Sequence, residues 1–139
     1  MSLFVLDTDM LTLFQKGHTT IAQNVAAHPI DELATTVISV EEQLSGWYTF
    51  IRKAKQINDI AVGNQSLADS VAFLSAFRIV TYDVRSIHRF QSFRQLKLNI
   101  RKNDLRIAAI VLENGAALDT RNARDFQQIP GLVFVDWSV

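Results

Sequence analysis

Leu3-Phe4-Val5-Leu6-Asp7-Thr8-Asp9-Met10-Leu11-Thr12-Leu13-Phe14-Gln15-Lys16-Gly17 is the stretch that decides the fold. The apolar run Leu3 to Leu6 predicts a short buried strand. Asp7 then opens a helix that runs to Lys16, with Met10, Leu11, Leu13 and Phe14 on its apolar side and Gly17 as its stop. The same hand-over from strand to helix recurs outward along the chain. Ile21 to Ala27 forms a second helical piece, closed by Pro29. Leu33 to Ile38 is strand-like because Thr35, Thr36, Val37 and Ile38 are β-branched. Ser39-Val40-Glu41-Glu42 carries a capping-box signature and opens a long helix containing Leu44, Trp47, Tyr48, Phe50 and Ile51. Ile57 to Ser75, Val84 to Leu96 and the strongly apolar Asp104 to Glu113 follow as helices, the last ended by Asn114-Gly115. Arg78 to Thr81, Ala117 to Asp119 and Leu132 to Val135 are the remaining strand candidates, with Pro130-Gly131 in the loop before the last. Short apolar strands alternating with helices predict an α/β fold whose mainly parallel sheet is covered on both faces.

Composition narrows the class. The chain has 139 residues, one domain's worth, and its residues 1–139 show no linker, repeat or low-complexity segment. It is 48% hydrophobic and 20% charged, as expected of a globular protein that buries its own core. Without cysteine there is no disulfide framework, no thiolate zinc site and no cysteine nucleophile. Met1 to Leu6 is too short for a signal h-region, and no apolar run approaches a membrane span. A cytoplasmic protein without a membrane association is the expectation.

Net charge is zero, but its distribution is uneven. Arg85, Arg89, Arg94, Lys97, Arg101, Lys102 and Arg106 are half of the 14 basic residues, with Asp104 the sole acid among them. Such a run is either a solvated helical face or a surface that tracks phosphates beside a catalytic acid.

Three acids share one address. Asp7 follows the first strand, Glu42 lies one turn into the helix after the second, and Asp104 begins the apolar helix. Asp119, at the end of another strand, is a fourth candidate. In open parallel sheets ligands bind at the carboxyl ends of strands, where the strand order reverses, so these acids could meet there. Clustered carboxylates repel unless a cation compensates them, and a hard divalent ion takes such oxygen ligands. Each acid also has a plain structural explanation. Asp7 is a good N-cap, Glu42 could complete a capping box with Ser39, and Asp104 could cap its own helix.

At this point the residues resemble a known family. Leu6-Asp7-Thr8-Asp9-Met10 is similar to the opening motif of PIN domains. Ile38-Ser39-Val40-Glu41-Glu42-Gln43-Leu44-Ser45-Gly46-Trp47 resembles their second motif, in which an acid stands four residues before a glycine, and that spacing selects Glu42 over Glu41. Asn103-Asp104-Leu105-Arg106-Ile107-Ala108-Ala109-Ile110 is similar to the third. Thr120-Arg121-Asn122-Ala123-Arg124-Asp125-Phe126, then Pro130-Gly131-Leu132 and Asp136-Trp137, resemble the C-terminal signature of VapC toxins. The likeness runs from Leu3 to Trp137, although Phe50 to Phe93 is not diagnostic.

The resemblance implies a three-layer α/β/α PIN-like fold with about five strands. It implies endoribonuclease activity dependent on Mg²⁺ or Mn²⁺, on RNA such as tRNA, with Asp7, Glu42 and Asp104 as metal ligands. It also implies a VapB-like antitoxin as partner, and a homodimer. The fourth acidic position departs from the pattern: Asn122 stands two residues after Thr120, and Asp119 stands just before it. Either Asp119 acts catalytically, through the metal or its waters, or Asn122 orients a water. Arg101, Lys102, Arg106 and Asn122 are the substrate-binding candidates; for Arg106 a salt bridge is the plain alternative. Thr8 and Asp9 could support the first acid, Asp9 alternatively serving as a first-turn helix acid. The competing reading is a catalytically degenerate PIN-fold module that binds RNA or a protein. A nucleotide-binding or phosphatase fold is disfavoured because no glycine-rich loop joins the first strand to its helix. His18, His28 and His88 lack metal-like spacing and read as surface or packing residues. Trp47, Tyr48 and Phe50 are either partner surface or core.

Overall fold

Phe4–Leu6 forms β1 at the centre of a five-stranded, wholly parallel sheet. The computed structural model describes residues 2–139; Met1, which the one-domain reading includes, lies outside the described residues. After β1 come α1 (Thr8–Gln15), α2 (Thr19–Ala26), a 3-10 turn (Ile30–Glu32), β2 (Leu33–Thr36), α3 (Val37–Lys53) and α4 (Ile57–Leu74). Then follow β3 (Arg78–Val80), α5 (Val84–Gln95), α6 (Lys102–Glu113), β4 (Ala117–Asp119), α7 (Ala123–Phe126) and β5 (Phe134–Val135). The strand order is β3-β2-β1-β4-β5. The chain therefore builds outward from β1 through β2 to β3, and α5 and α6 carry it back to β4 on the far side of β1. The order reverses between β1 and β4, which opens a crevice at their carboxyl ends.

Successive strand residues face opposite sides of the sheet. Val5, Ala34, Val80 and Leu118 pack with Phe90 and Phe93 of α5, the apolar face of α6, and Phe126 and Ile129. Leu6 and Leu33 pack with Met10 and Leu11 of α1, Ile21 of α2, Leu74, Phe77 and Trp137. Helices thus cover both faces, the three-layer α/β/α architecture expected from the sequence. His28 stacks on Trp137 (4.6 Å between ring centres) and His18 caps α2 through Nδ1, so both serve packing and capping.

Of the boundaries that differ from the sequence reading, two bear on the site. The second strand ends at Thr36 rather than Ile38, and Thr36 caps α3 by accepting the Ser39 amide at 3.2 Å. Ser39 is therefore not the cap, and Glu42 is not its capping-box partner. Val37 and Ile38 have strand-like side chains, but Ile38 buries itself against the core from the first helical turn, and packing outweighs propensity. Likewise α6 starts at Lys102, capped by Arg101 without a side-chain bond, so Asp104 lies inside the first turn instead of capping it. Both acids are released from the capping roles that the sequence allowed them.

α3 and α4 pack against each other as a hairpin, with Gly63 of α4 set against Phe50 and Ile51 of α3. A Cβ there would lie 2.8 Å from Phe50 Cδ1 and 2.9 Å from Ile51 Cγ1, whereas one at Gly46 would meet nothing within 4 Å. Gly63→Ala is therefore expected to destabilise the protein by about 1 kcal/mol or more through overpacking. Gly46→Ala, within exposed helix, should instead stabilise it by about 0.5–1 kcal/mol. Urea titrations of the two variants check this; equal shifts of the same sign would contradict the packing.

Candidate active site

An open cleft of about 470 Å³ lies at the carboxyl ends of β1 and β4, lined by Asp7, Thr8, Asp9, Arg101, Asp104, Arg121, Asn122 and Phe126. Asp7 is the first residue beyond β1 and is buried. Its Oδ1 accepts the Met10 amide at 2.9 Å, so it does cap α1, and it lines the cleft as well. Asp104 comes from the first turn of α6, where the helix dipole favours an acid. Glu42 approaches from α3. Its Oε1 lies 2.6 Å from Thr8 Oγ1, which is 2.9 Å from Ser39 Oγ. The single Thr8 hydroxyl proton goes to the carboxylate, and Ser39 donates to Thr8.

Arg101 joins the acids. Its guanidinium meets Asp104 at two points, Nη2–Oδ1 3.2 Å and Nε–Oδ2 3.3 Å, and Nη2 lies 3.6 Å from Glu42 Oε2. Bonding to Asp104, more than its wider attraction to Glu42 and Asp7, raises the Arg101 pKa above its already high value. Asp9 and Arg121 face each other on the rim, 3.7 Å apart. Among the described residues no three His, Cys, Asp or Glu side chains stand close enough together to hold a metal ion as placed. Asp104 and Glu42 meet around the Arg101 guanidinium, and Asp7 stands apart from that contact.

The other expected residues lie elsewhere. Asp119 is fully buried beneath the cleft, not on its lining. Its Oδ1 accepts the Trp137 amide at 2.9 Å, which ties the C-terminal segment to β4, and its Oδ2 has no hydrogen-bond partner among the described residues. Asn122 lines the cleft but also caps α7, and its Nδ2 donates to Asp125 Oδ2 at 2.8 Å. Lys102 faces a separate depression beside Phe90, Arg94 and Leu98. Arg106 donates to Asn103 Oδ1 and lies over the rings of Tyr82 and Phe90, 5.8 and 5.4 Å from their centres. Helix geometry explains the split: at about 100° per residue, Arg101 and Asp104 share a face, while Arg106 points to the opposite side. Two contributors escaped the sequence reading. Ser39 looked like a helix cap, and Arg121 lay in a motif read only as a signature.

Burial shapes the site's electrostatics. It pushes the Asp7 carboxyl up to about 6, opposed by bonds from Thr120 and the Met10 amide. It pushes Asp119 up to about 7, opposed by the Trp137 amide and reinforced by the charge of Asp7. An exposed aspartate titrates near 3.8. Between these values the folded chain holds protons that the unfolded chain has lost. The stabilisation is complete below about pH 4 and is lost as pH rises through about 6 to 7. In the presence of chelator, the melting temperature is therefore expected to fall between about pH 5 and about pH 8 by several degrees. Asp119→Asn should flatten that slope. A wild-type melting temperature that rises over this range would contradict the burial of the two acids.

No family model matches the chain. Over 78 residues it is 33% identical to Ribonuclease VapC2 of Rickettsia felis, a match that spans 53% of this chain and 57% of that protein's length. Among solved structures, DNA-bound VapBC from Salmonella typhimurium superposes with a TM-score of 0.81 at 21% identity, covering 99% of each chain. VapBC2 from Rickettsia felis, bound to a DNA fragment from their promoter, superposes with a TM-score of 0.75 at 25% identity, covering 97% of this chain and 98% of that one. The chain has the PIN-like fold of the VapC proteins and resembles a VapC ribonuclease in sequence.

Proposed function

We propose that the chain is a VapC-like toxin, an endoribonuclease that uses Mg²⁺ or Mn²⁺ to hydrolyse phosphodiester bonds of RNA such as tRNA. The observation that carries this reading is that Asp7 and Asp104, from separate elements, line one crevice, and that Glu42 of α3 is joined to its wall through Thr8 and Arg101. A relative named as a ribonuclease supports the reaction class. Structural relatives that are VapBC complexes support a VapB-like antitoxin as partner. Assembly as a homodimer and action in the cytoplasm belong to the same proposal; among the described residues no helix is long and apolar enough to cross a membrane.

The residues fit a hard divalent cation by their chemistry. Asp7, Asp104 and Glu42 offer only carboxylate oxygens, and Asp7 carries its charge at a penalty that a cation would relieve. These three would hold the ion. Such a cation, when bound, supplies Lewis acidity toward the attacking water and the departing oxygen. The chain's own groups set the stage. The Met10 amide fixes Asp7, and the Thr8 hydroxyl fixes Glu42. Arg101 and Arg121 give the cleft positive groups that match phosphate oxygens. Asn122 is held by Asp125 at the cleft wall, in a position to orient a water or a sugar hydroxyl. Asp119 lies below the cleft, where the charge of Asp7 helps to raise its pKa.

Asp104→Asn is expected to lower metal-dependent RNA cleavage by about a hundredfold or more, since a lost ligand removes several kcal/mol of transition-state stabilisation. Asn in the first turn of α6 caps nothing, so the fold should persist. Cleavage of a labelled structured RNA with Mn²⁺, and with chelator as control, measures it. Undiminished cleavage by the folded variant would sink the assignment. RNA binding by the wild type without any cleavage would favour the non-catalytic module instead.

A further inference from the structure

Arg101 is unlike the other arginines of α5 and α6. Arg85 and Arg89 both pair with Glu113, and Arg106 is absorbed by Asn103, Tyr82 and Phe90. Arg101 alone reaches into the acids, forked onto Asp104 and 3.6 Å from Glu42. The acids are enclosed and the arginine is not. The side chains of Asp104 and Glu42 are 12% and 19% exposed, whereas that of Arg101 is 67% exposed. Arg101 also has no duty in starting its helix. It contributes only its backbone carbonyl, which accepts the Leu105 amide at 3.0 Å, and no side-chain cap. The side chain can therefore swing outward without disturbing α6.

We propose that Arg101 is the site's own counter-cation: its guanidinium occupies the oxygens of Asp104 and Glu42 in the resting protein and must leave them before a divalent cation takes its place. This rests on the metal-site reading above. A guanidinium and a hard cation compete for the same carboxylate oxygens, and one set of oxygens does not satisfy both. Two enclosed carboxylates without any cation would be costly, and the arginine supplies the positive charge that offsets that cost. The doubly charged ion, once present, gains more from each carboxylate than the singly charged fork does. The displaced guanidinium stays tethered at the cleft wall, where its planar fork suits a phosphate. Metal entry and release of a phosphate-binding group thereby become one event.

The test is metal binding, read without catalysis. Mn²⁺ is titrated into the purified 139-residue protein and the free ion is followed by its magnetic resonance signal. Arg101→Gln is expected to bind Mn²⁺ roughly tenfold more tightly than the wild type. Arg101→Lys, which keeps the charge but loses the fork, should fall between them. In chelator, Arg101→Gln should melt at a lower temperature than the wild type and regain the difference when Mn²⁺ is added. Equal or weaker Mn²⁺ affinity in Arg101→Gln, with Asp104→Asn abolishing binding, would overturn the proposal while leaving the metal site standing. No saturable Mn²⁺ binding by the wild type and Arg101→Gln alike would overturn both.

Discussion

The Asp7 amide donates to the Asp119 carbonyl at 3.1 Å, the last rung between β1 and β4. Beyond it the two chains part, Asp7 into α1 and Asp119 toward α7, on opposite sides of the crevice that the strand reversal creates. Every other feature of the site depends on this rung. It sets Asp7 at the cleft and places Asp119 beneath it, close enough for the charge of Asp7 to raise the cost of ionising Asp119. α3 and α6 then bring Glu42 and Asp104 in from positions far away in the sequence.

Burying acids side by side works against folding, and the structure offsets that cost with specific partners rather than with solvent. Asp7 accepts a helix-start amide, Asp119 accepts the Trp137 amide, and Glu42 accepts the Thr8 hydroxyl. Asp104 receives a guanidinium fork. What is left over is the Oδ2 of Asp119, without a hydrogen-bond partner among the described residues, and the raised pKa of both buried aspartates. Such residual strain is common where chemistry is done, because a fully satisfied site has no affinity left for a ligand.

The basic run from Arg85 to Arg106 shows how a linear charge pattern disperses in three dimensions. Arg85 and Arg89 clamp α5 to α6 through Glu113. Arg94 and Arg106 lie over Phe90, and Lys102 faces a different depression. The run is therefore no continuous phosphate track. It delivers one cation, Arg101, to the acids, and the cleft gains Arg121 from a distant loop.

The sequence by itself determined the layers of the fold. The apolar run Leu3 to Leu6, the helical spacing of Met10, Leu11, Leu13 and Phe14, and the apolar face of Asp104 to Glu113 depend on local periodicity, which survives without knowledge of neighbours. It also picked out Asp7, Glu42 and Asp104, partly through their place at strand and helix ends and partly through resemblance to a family. Capping could not be decided from the same residues, because Thr36, Ser39 and Asp104 are all good N-cap types and only packing selects where the chain turns. Tertiary structure alone ended β2 at Thr36, freed Glu42 to meet Thr8, and hid Asp119 under the cleft. It also sent Arg101 into the acids and Arg106 away from them. Those outcomes depend on the strand order and on helix rotation, quantities to which residues 31 or more positions apart contribute together, as Thr8 and Ser39 do.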